Sequence, residues 1–122
     1  MNYKTENIKK IIVTNSLKLD CGQTIKDFPI AYETYGELNE KKNNAILIFH
    51  ALTGDQFVAG DNPITNKEGW WTTAVGPRKA IDTDKYFIIC ANVLGGCMGS
   101  FGPKDINTEN NQPHGLKFPV IT

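Results

Sequence analysis

The sequence predicts an α/β fold built around a mixed sheet. Two apolar runs, residues 45–49 and 86–93, are bounded by turn residues, and such runs are typical of strands buried on both faces of a parallel sheet. Residues 50–85 between them are long enough for a crossover that contains a helix. Strand formers at residues 30–36 add a segment ahead of this unit. The order of the segments favours α/β over all-β.

The first elements predict an antiparallel hairpin. Residues 1–16 form an amino-terminal lead that contains a short apolar cluster, and the domain is expected to occupy residues 17–122. Residues 17–19 alternate between apolar and polar side chains. They are expected to pair with residues 30–36 after an intervening turn.

The crossover and the closing segment are less regular. Residues 69–77 are predicted to form the crossover helix, which Gly76 and Pro77 would end. Trp70 and Trp71 in that helix would point in different directions and belong to the core, or one of them would face a pocket. After Leu94 the chain becomes a glycine-rich loop, and loops of this length are functional or disordered.

Composition excludes several functional classes. The 122 residues have a net charge of zero and a pI near 6.7, so a nucleic-acid partner is not expected. No apolar run approaches the roughly 20 residues of a membrane span, and the amino end has no secretory pattern. Three sparse cysteines predict buried free thiols in a reducing compartment, and therefore the cytoplasm.

Residues 50–55 follow the first apolar run and permit two interpretations. The N–H groups of Leu52 and Thr53 could stabilise a developing oxyanion, as the loop after the third strand does in α/β-hydrolases. The alternative is an ordinary turn in which Thr53 or Asp55 acts as a cap. His50 could be a general base, but a structural histidine bonded to loop backbone is favoured because the nearby sequence offers no nucleophile.

The remaining motifs do not predict a reactive centre. Residues 98–102 come near the G-x-S-x-G pattern, but Ser100 is interpreted as a loop residue because the strand ends several residues earlier. The glycines match no phosphate-binding pattern. No ligand spacing indicates a metal, and Asp82 and Asp84 are expected to be solvated.

Several motifs in one order resemble the amino-terminal part of the homoserine O-acetyltransferase family, within the α/β-hydrolase superfamily. They are the runs AYETYG, HALTGD, GWW, VGP, IDTD, NVLGGCMGS, GP and FPVIT, which begin at residues 31, 50, 69, 75, 81, 92, 102 and 118. The resemblance extends from Leu17 to Thr122. It implies the amino-terminal portion of an α/β-hydrolase fold, with the antiparallel hairpin leading into a mostly parallel sheet that has a crossover helix.

The resemblance also implies an activity. The family transfers an acetyl group from acetyl-CoA, a co-substrate and not a bound cofactor, to homoserine in methionine biosynthesis. It uses a Ser–His–Asp triad through an acyl-enzyme, and its members are homodimeric cytoplasmic enzymes. Family order would place all three triad members downstream of this chain, which would then be inactive alone.

Two parts of the site are carried over onto this sequence. Leu52 and Thr53 would supply the oxyanion hole, and Gly95 and Gly96 would frame the pocket. The alternatives are a homoserine O-succinyltransferase or serine O-acetyltransferase of the same family, or a binding domain without enzymatic activity.

Overall fold

A central four-stranded sheet organises the chain, whose computed structural model describes residues 8–122. The central strands and the strands of four two-stranded ribbons are numbered along the chain. They are β1 (Lys10–Val13), β2 (Leu17–Lys18), β3 (Thr24–Ile25), β4 (Phe28–Tyr35), β5 (Ala45–Ile48), β6 (Asp61–Asn62), β7 (Lys67–Glu68), β8 (Val75–Gly76), β9 (Ile81–Asp82), β10 (Phe87–Ala91), β11 (Ile106–Asn107) and β12 (Gln112–Pro113). A short 3₁₀ helix covers Gly115–Lys117.

The order of the central sheet is β1-β4-β10-β5. The two apolar runs are confirmed as neighbouring parallel strands, since β10 pairs with β5 from Phe87 opposite Ala45 to Cys90 opposite Ile48. Strand β4 lies antiparallel to both β1 and β10. The sheet is therefore mixed, and the expectation that it would be mostly parallel is wrong for residues 8–122.

The predicted hairpin is also wrong. Strand β4 pairs with β1 inside the segment 1–16, with Lys10 opposite Ala31. Strand β2 instead turns back on β3, around Gly22, whose φ is +86°. The tight turn is closed by a hydrogen bond from the N–H of Gly22 to the carbonyl of Leu19. Local closure of this kind costs less chain entropy than pairing with a distant strand.

The crossover contains no helix anywhere in residues 49–86. The N–H of Gly69 donates to the carbonyl of Gly60, and the N–H of Trp71 donates to the carbonyl of Val58. These bonds hold the start of the segment across the loop, and the segment ends as strand β8 at Val75 and Gly76. A nine-residue helix is marginal without strong packing. Ribbons β6–β7 and β8–β9 take its place.

The crossover nevertheless covers part of the sheet. Val58, Ala59 and Val75 pack with sheet residues in one core cluster, which is completed by Ile48, Ile88 and Cys90. A second cluster is formed by Leu19, Ile25 and Phe28 with partly buried neighbours. On the edge strand β5, Leu47 is 54% exposed, so burial of both faces of this strand is not observed. Within the described residues, no helix has the length and hydropathy that a membrane span requires.

Asp82 organises the turn that leads into β10. The expectation that its side chain is solvated is wrong, because the residue is buried. One carboxylate oxygen accepts hydrogen bonds from the N–H of Arg78 at 2.8 Å and of Asp84 at 3.1 Å. The other lies 3.3 Å from the Lys85 ammonium. These bonds, that of Arg78 first, lower the pKa of Asp82 from its ordinary 3.8, because they favour the charged form.

Replacement of Asp82 by asparagine is expected to weaken the pH dependence of stability in acid. A lowered folded-state pKa contributes stability above the unfolded value of 3.8 that is lost as the pH falls through the folded value. The Asp82→Asn variant should therefore be less stable than the parent at neutral pH, and the difference should shrink below the ordinary aspartate pKa. Urea midpoints measured across this range check the prediction, and a constant difference at every pH would contradict it.

Candidate functional site

Two loops meet at one edge of the sheet because β5 and β10 are adjacent and parallel. Residues 49–54 follow β5 and residues 92–96 follow β10. The carboxyl ends of parallel strands are the usual place for ligand sites in α/β sheets. The first loop contains His50, and the second begins with Asn92 and Val93.

His50 joins the two loops through both nitrogens of its ring. Nδ1 lies 2.7 Å from the carbonyl oxygen of Ala51, and Nε2 lies 3.3 Å from the backbone nitrogen of Val93. A carbonyl only accepts a hydrogen bond and a backbone N–H only donates one. In the tautomer that satisfies both contacts, Nδ1 donates to the carbonyl of Ala51 and Nε2 accepts from the N–H of Val93. The expectation that the His50 ring bonds to loop backbone is confirmed.

Leu52 and Thr53 lie in the turn that His50 supports. The carbonyl of Ala51 accepts a hydrogen bond from the N–H of Gly54 at 2.8 Å, which closes the turn. Leu52 is 92% exposed. Within residues 8–122, the N–H groups of Leu52 and Thr53 donate to no other residue. Their geometry is that of two free donors, and their role as oxyanion donors stays a prediction.

An open cavity of about 310 Å³ lies beside this turn. Leu52, Gly95 and Gly96 all line it, so the structure brings together three of the four residues singled out by the sequence. Thr53 is adjacent in the chain but is not a lining residue. The other walls are mostly apolar and come from Val93, Leu94, Pro103, Phe118, Pro119 and Ile121. The framing role of Gly95 and Gly96 remains a prediction.

Ser100 supports the second loop through two hydrogen bonds to backbone groups. Its buried Oγ accepts a hydrogen bond from the N–H of Ala31 at 2.9 Å and donates one to the carbonyl of Asn92 at 2.6 Å. The N–H of Asn92 in turn donates to the carbonyl of Ala31 at 2.8 Å. The hydroxyl is held by backbone partners, and Ser100 lies between β10 and β11, so the interpretation of Ser100 as a loop residue is confirmed.

The thiols offer no activated nucleophile in the core. Burial and then the Asp55 carboxylate raise the pKa of Cys90 to about 11, because both disfavour the thiolate. Cys21 and Cys97 are exposed free thiols, so the expectation of burial is correct only for Cys90. In the described part of the chain, no three His, Cys, Asp or Glu side chains are grouped as metal ligands.

Trp70 and Trp71 neither belong to the core of the described residues nor line the cavity beside Leu52. Their rings are stacked, with centroids 5.7 Å apart and planes 10° apart. Trp70 is 43% exposed and Trp71 is 40% exposed. The expectation that they point apart rested on helical geometry, which this segment does not have. The indole N–H of Trp70 donates to the carbonyl of Asp55 and so attaches the crossover to the loop after β5.

Sequence reasoning missed the partners of His50. Asn92 is 3% exposed, and its Nδ2 lies 3.4 Å from His50 Nε2. A polar residue that directly follows a buried strand was the available signal. Gln56 was also missed, although it is fully buried and donates to the carbonyl of Met98 at 2.8 Å.

The chain is similar in sequence to homoserine O-acetyltransferases. It is 72% identical to that of Pelagibacter ubique (strain HTCC1062) over 116 residues, which are 95% of this chain and 31% of the relative. It is 55% identical to that of Nitrobacter hamburgensis (strain DSM 10229 / NCIMB 13809 / X14) over 121 residues, 99% of this chain and 30% of the relative. The chain thus spans less than a third of the length of these curated relatives. No protein-family model matches it.

Solved structures show the same likeness. The homoserine O-acetyltransferase from Bacillus anthracis superposes with a TM-score of 0.80 at 36% identity, over 93% of this chain and 32% of that one. Esterase E22 superposes with a TM-score of 0.78 at 33% identity, over 94% and 33% of the two chains. The resemblance described from the motifs is confirmed, and so is the predicted class, the amino-terminal portion of an α/β-hydrolase fold.

Proposed function

We propose that this chain, which matches homoserine O-acetyltransferases and has the amino-terminal portion of the α/β-hydrolase fold, is the amino-terminal part of an acyltransferase. The complete enzyme would transfer an acetyl group from acetyl-CoA to the hydroxyl of homoserine, in methionine biosynthesis. The observation that supports this role most directly is the pair of free N–H donors at Leu52 and Thr53, beside the cavity at the end of β5.

The chemistry assigned to this part is stabilisation of negative charge. Acyl transfer through an acyl-enzyme forms tetrahedral intermediates, whose oxygen gains charge as the carbonyl is attacked. Donors that are already oriented stabilise that oxygen without reorganisation. Leu52 and Thr53 would donate to it, while Gly95 and Gly96 would leave room for backbone close to the substrate. The nucleophilic serine and its histidine and aspartate partners would lie outside residues 1–122.

The proposed function also implies the substrates, the compartment and the oligomeric state. The substrates are homoserine and an acyl-CoA, and the complete protein would be a cytoplasmic homodimer. Transfer of succinyl in place of acetyl, or acylation of serine, would use the same oxyanion donors. Competition between the two acyl donors, and between homoserine and serine, distinguishes these reactions.

A chimera tests the proposal, because this chain spans less than a third of the length of its curated relatives. The matching 116 residues of the Pelagibacter ubique enzyme are replaced by those of this chain. We expect the chimera to acetylate homoserine with a kcat within about tenfold of the parent, since tenfold corresponds to only about 1.4 kcal/mol of barrier. Mass spectrometry of O-acetylhomoserine measures the product.

The isolated 122-residue chain is the control and should form no product. A chimera that folds but shows no transfer, while the parent enzyme is active, would refute the proposed function. Transfer by the isolated chain would show that the reactive serine lies within it. An inactive chimera, together with an isolated chain that folds and binds a specific small molecule, would favour the binding domain.

A further inference from the structure

The geometry points to His50 as the positioning residue of the oxyanion hole. Its ring joins the turn after β5 to Val93 and so determines where the N–H groups of Leu52 and Thr53 lie. This inference rests on the proposed function, because it concerns the same two donors. It assigns His50 no contact with substrate and no transfer of a proton.

The first contact of the ring stays within the turn. His50 Nδ1 donates to the carbonyl of Ala51, the same oxygen that accepts the N–H of Gly54. This oxygen therefore holds residues 50, 51 and 54 together while the two donors between them remain free. The contact shapes the turn, but it does not determine where the turn lies relative to the sheet.

The second contact connects the turn to the sheet. His50 Nε2 accepts the N–H of Val93, and Val93 follows Asn92, whose own N–H donates to Ala31 on the central strand β4. Ser100 closes the same frame, since its Oγ bonds both Ala31 and Asn92. A continuous series of hydrogen bonds thus runs from β4 through Val93 to His50.

Side-chain packing does little to hold the turn. Leu52 is almost fully exposed, and Ala51 and Thr53 are exposed as well. His50, at 8% exposure, is buried. Because a displacement of about 1 Å at a reacting group can cost about 100-fold in rate, the bond to Val93 is expected to influence turnover more than stability.

A pair of substitutions separates the two contacts of the ring. In His50→Asn the amide nitrogen takes the position of Nδ1, so the bond to Ala51 can be kept while the bond to Val93 is lost. In His50→Gln the amide oxygen reaches the position of Nε2, so the bond to Val93 can be kept while the bond to Ala51 is lost. Both variants are made in the chimera, and Asp82→Asn serves as a destabilised control away from the cavity, since it removes the carboxylate charge beside Lys85.

We expect His50→Asn to lower kcat about 10- to 100-fold with KM changed less than about twofold. His50→Gln should keep kcat within about threefold, and Asp82→Asn should change stability but not kcat. Equal kcat values for both His50 variants would overturn the inference, as would variants that lose stability alone. A KM increase in His50→Asn without a fall in kcat would also overturn it.

Hydrogen exchange gives a second readout that needs no activity. The Val93 amide should exchange faster in His50→Asn than in His50→Gln or the parent chimera. If the chimera shows no acetyl transfer, the proposed function fails, and this exchange still decides whether His50 joins the two loops. Equal exchange in both variants would show that it does not.

Discussion

Replacement of Gly36 by alanine is expected to destabilise the fold by about 2–5 kcal/mol. The residue directly follows β4 with a φ of +73°, and a Cβ there would lie 2.3 Å from the carbonyl oxygen of Tyr86 and 2.6 Å from that of Thr83. Both obstacles are backbone atoms of the turn that leads into β10. The turn would have to move away from β4 just where these strands begin to pair, at Tyr35 opposite Ile88.

Two costs add in this variant. The left-handed backbone costs a residue with a Cβ about 1–2 kcal/mol, and overpacking against a fixed backbone costs about 1–3 kcal/mol more. Because domains are stable by only about 5–15 kcal/mol, a loss of about 2–5 kcal/mol should be plain in urea denaturation followed by circular dichroism.

Gly60→Ala is the matched control for Gly36→Ala. Gly60 has a φ of +64°, and nothing lies within 4 Å of the position that its Cβ would occupy. The free energy of unfolding of this control should therefore fall only by the backbone cost of about 1–2 kcal/mol. If the two variants lose the same stability, the close approach of Gly36 to the turn does not matter.

The parallel pair β5 and β10 could be predicted because an apolar run is a local property of the sequence. The order of the sheet could not. Residues 30–36 are equally suited to pair with residues 17–19 or with β1, and the choice depends on which alternative partners close locally. The segment 17–25 turns back at Gly22, which leaves the edge of β4 free for β1.

The prediction of a crossover helix was wrong for a related reason. The pattern of residues 69–77 does not reveal that Gly69 approaches Ala59 so closely that a Cβ would lie 2.6 Å from its backbone nitrogen. That approach gives the donors of this segment partners across the loop, at Gly60 and Val58. Long-range bonds of this kind override local propensity.

The candidate site was predictable in part. The position of residues 50–55 after a buried strand indicated donors at Leu52 and Thr53, and the absence of a nucleophile nearby in sequence indicated a structural His50. The partner Val93 is 43 residues away, and only the parallel pairing of β5 with β10 brings it to the ring. The position of Leu52 and Gly95 in the lining of one cavity depends on the same pairing.

Replacement of Leu52 by proline in the chimera is expected to lower kcat for homoserine acetylation by about 100- to 1,000-fold, the usual effect of losing one oxyanion donor. Proline removes the backbone N–H and keeps an apolar side chain. The side chain of Leu52 is exposed, so the substitution opens no cavity in the core. Steady-state kinetics with acetyl-CoA and homoserine measure the loss.

Leu52→Ala is the control, because it keeps the N–H and shortens only the side chain that lines the cavity. Its effect should appear mainly in KM, with kcat within about threefold of the parent. Proline also disfavours helical backbone at Ala51, so Thr53→Pro is tested in parallel. If Leu52→Pro and Thr53→Pro both retain the kcat of Leu52→Ala, while circular dichroism shows that they are folded, neither N–H stabilises the oxyanion. A loss in one alone would identify which of the two donates, since only a donor aimed at the developing charge contributes to the rate.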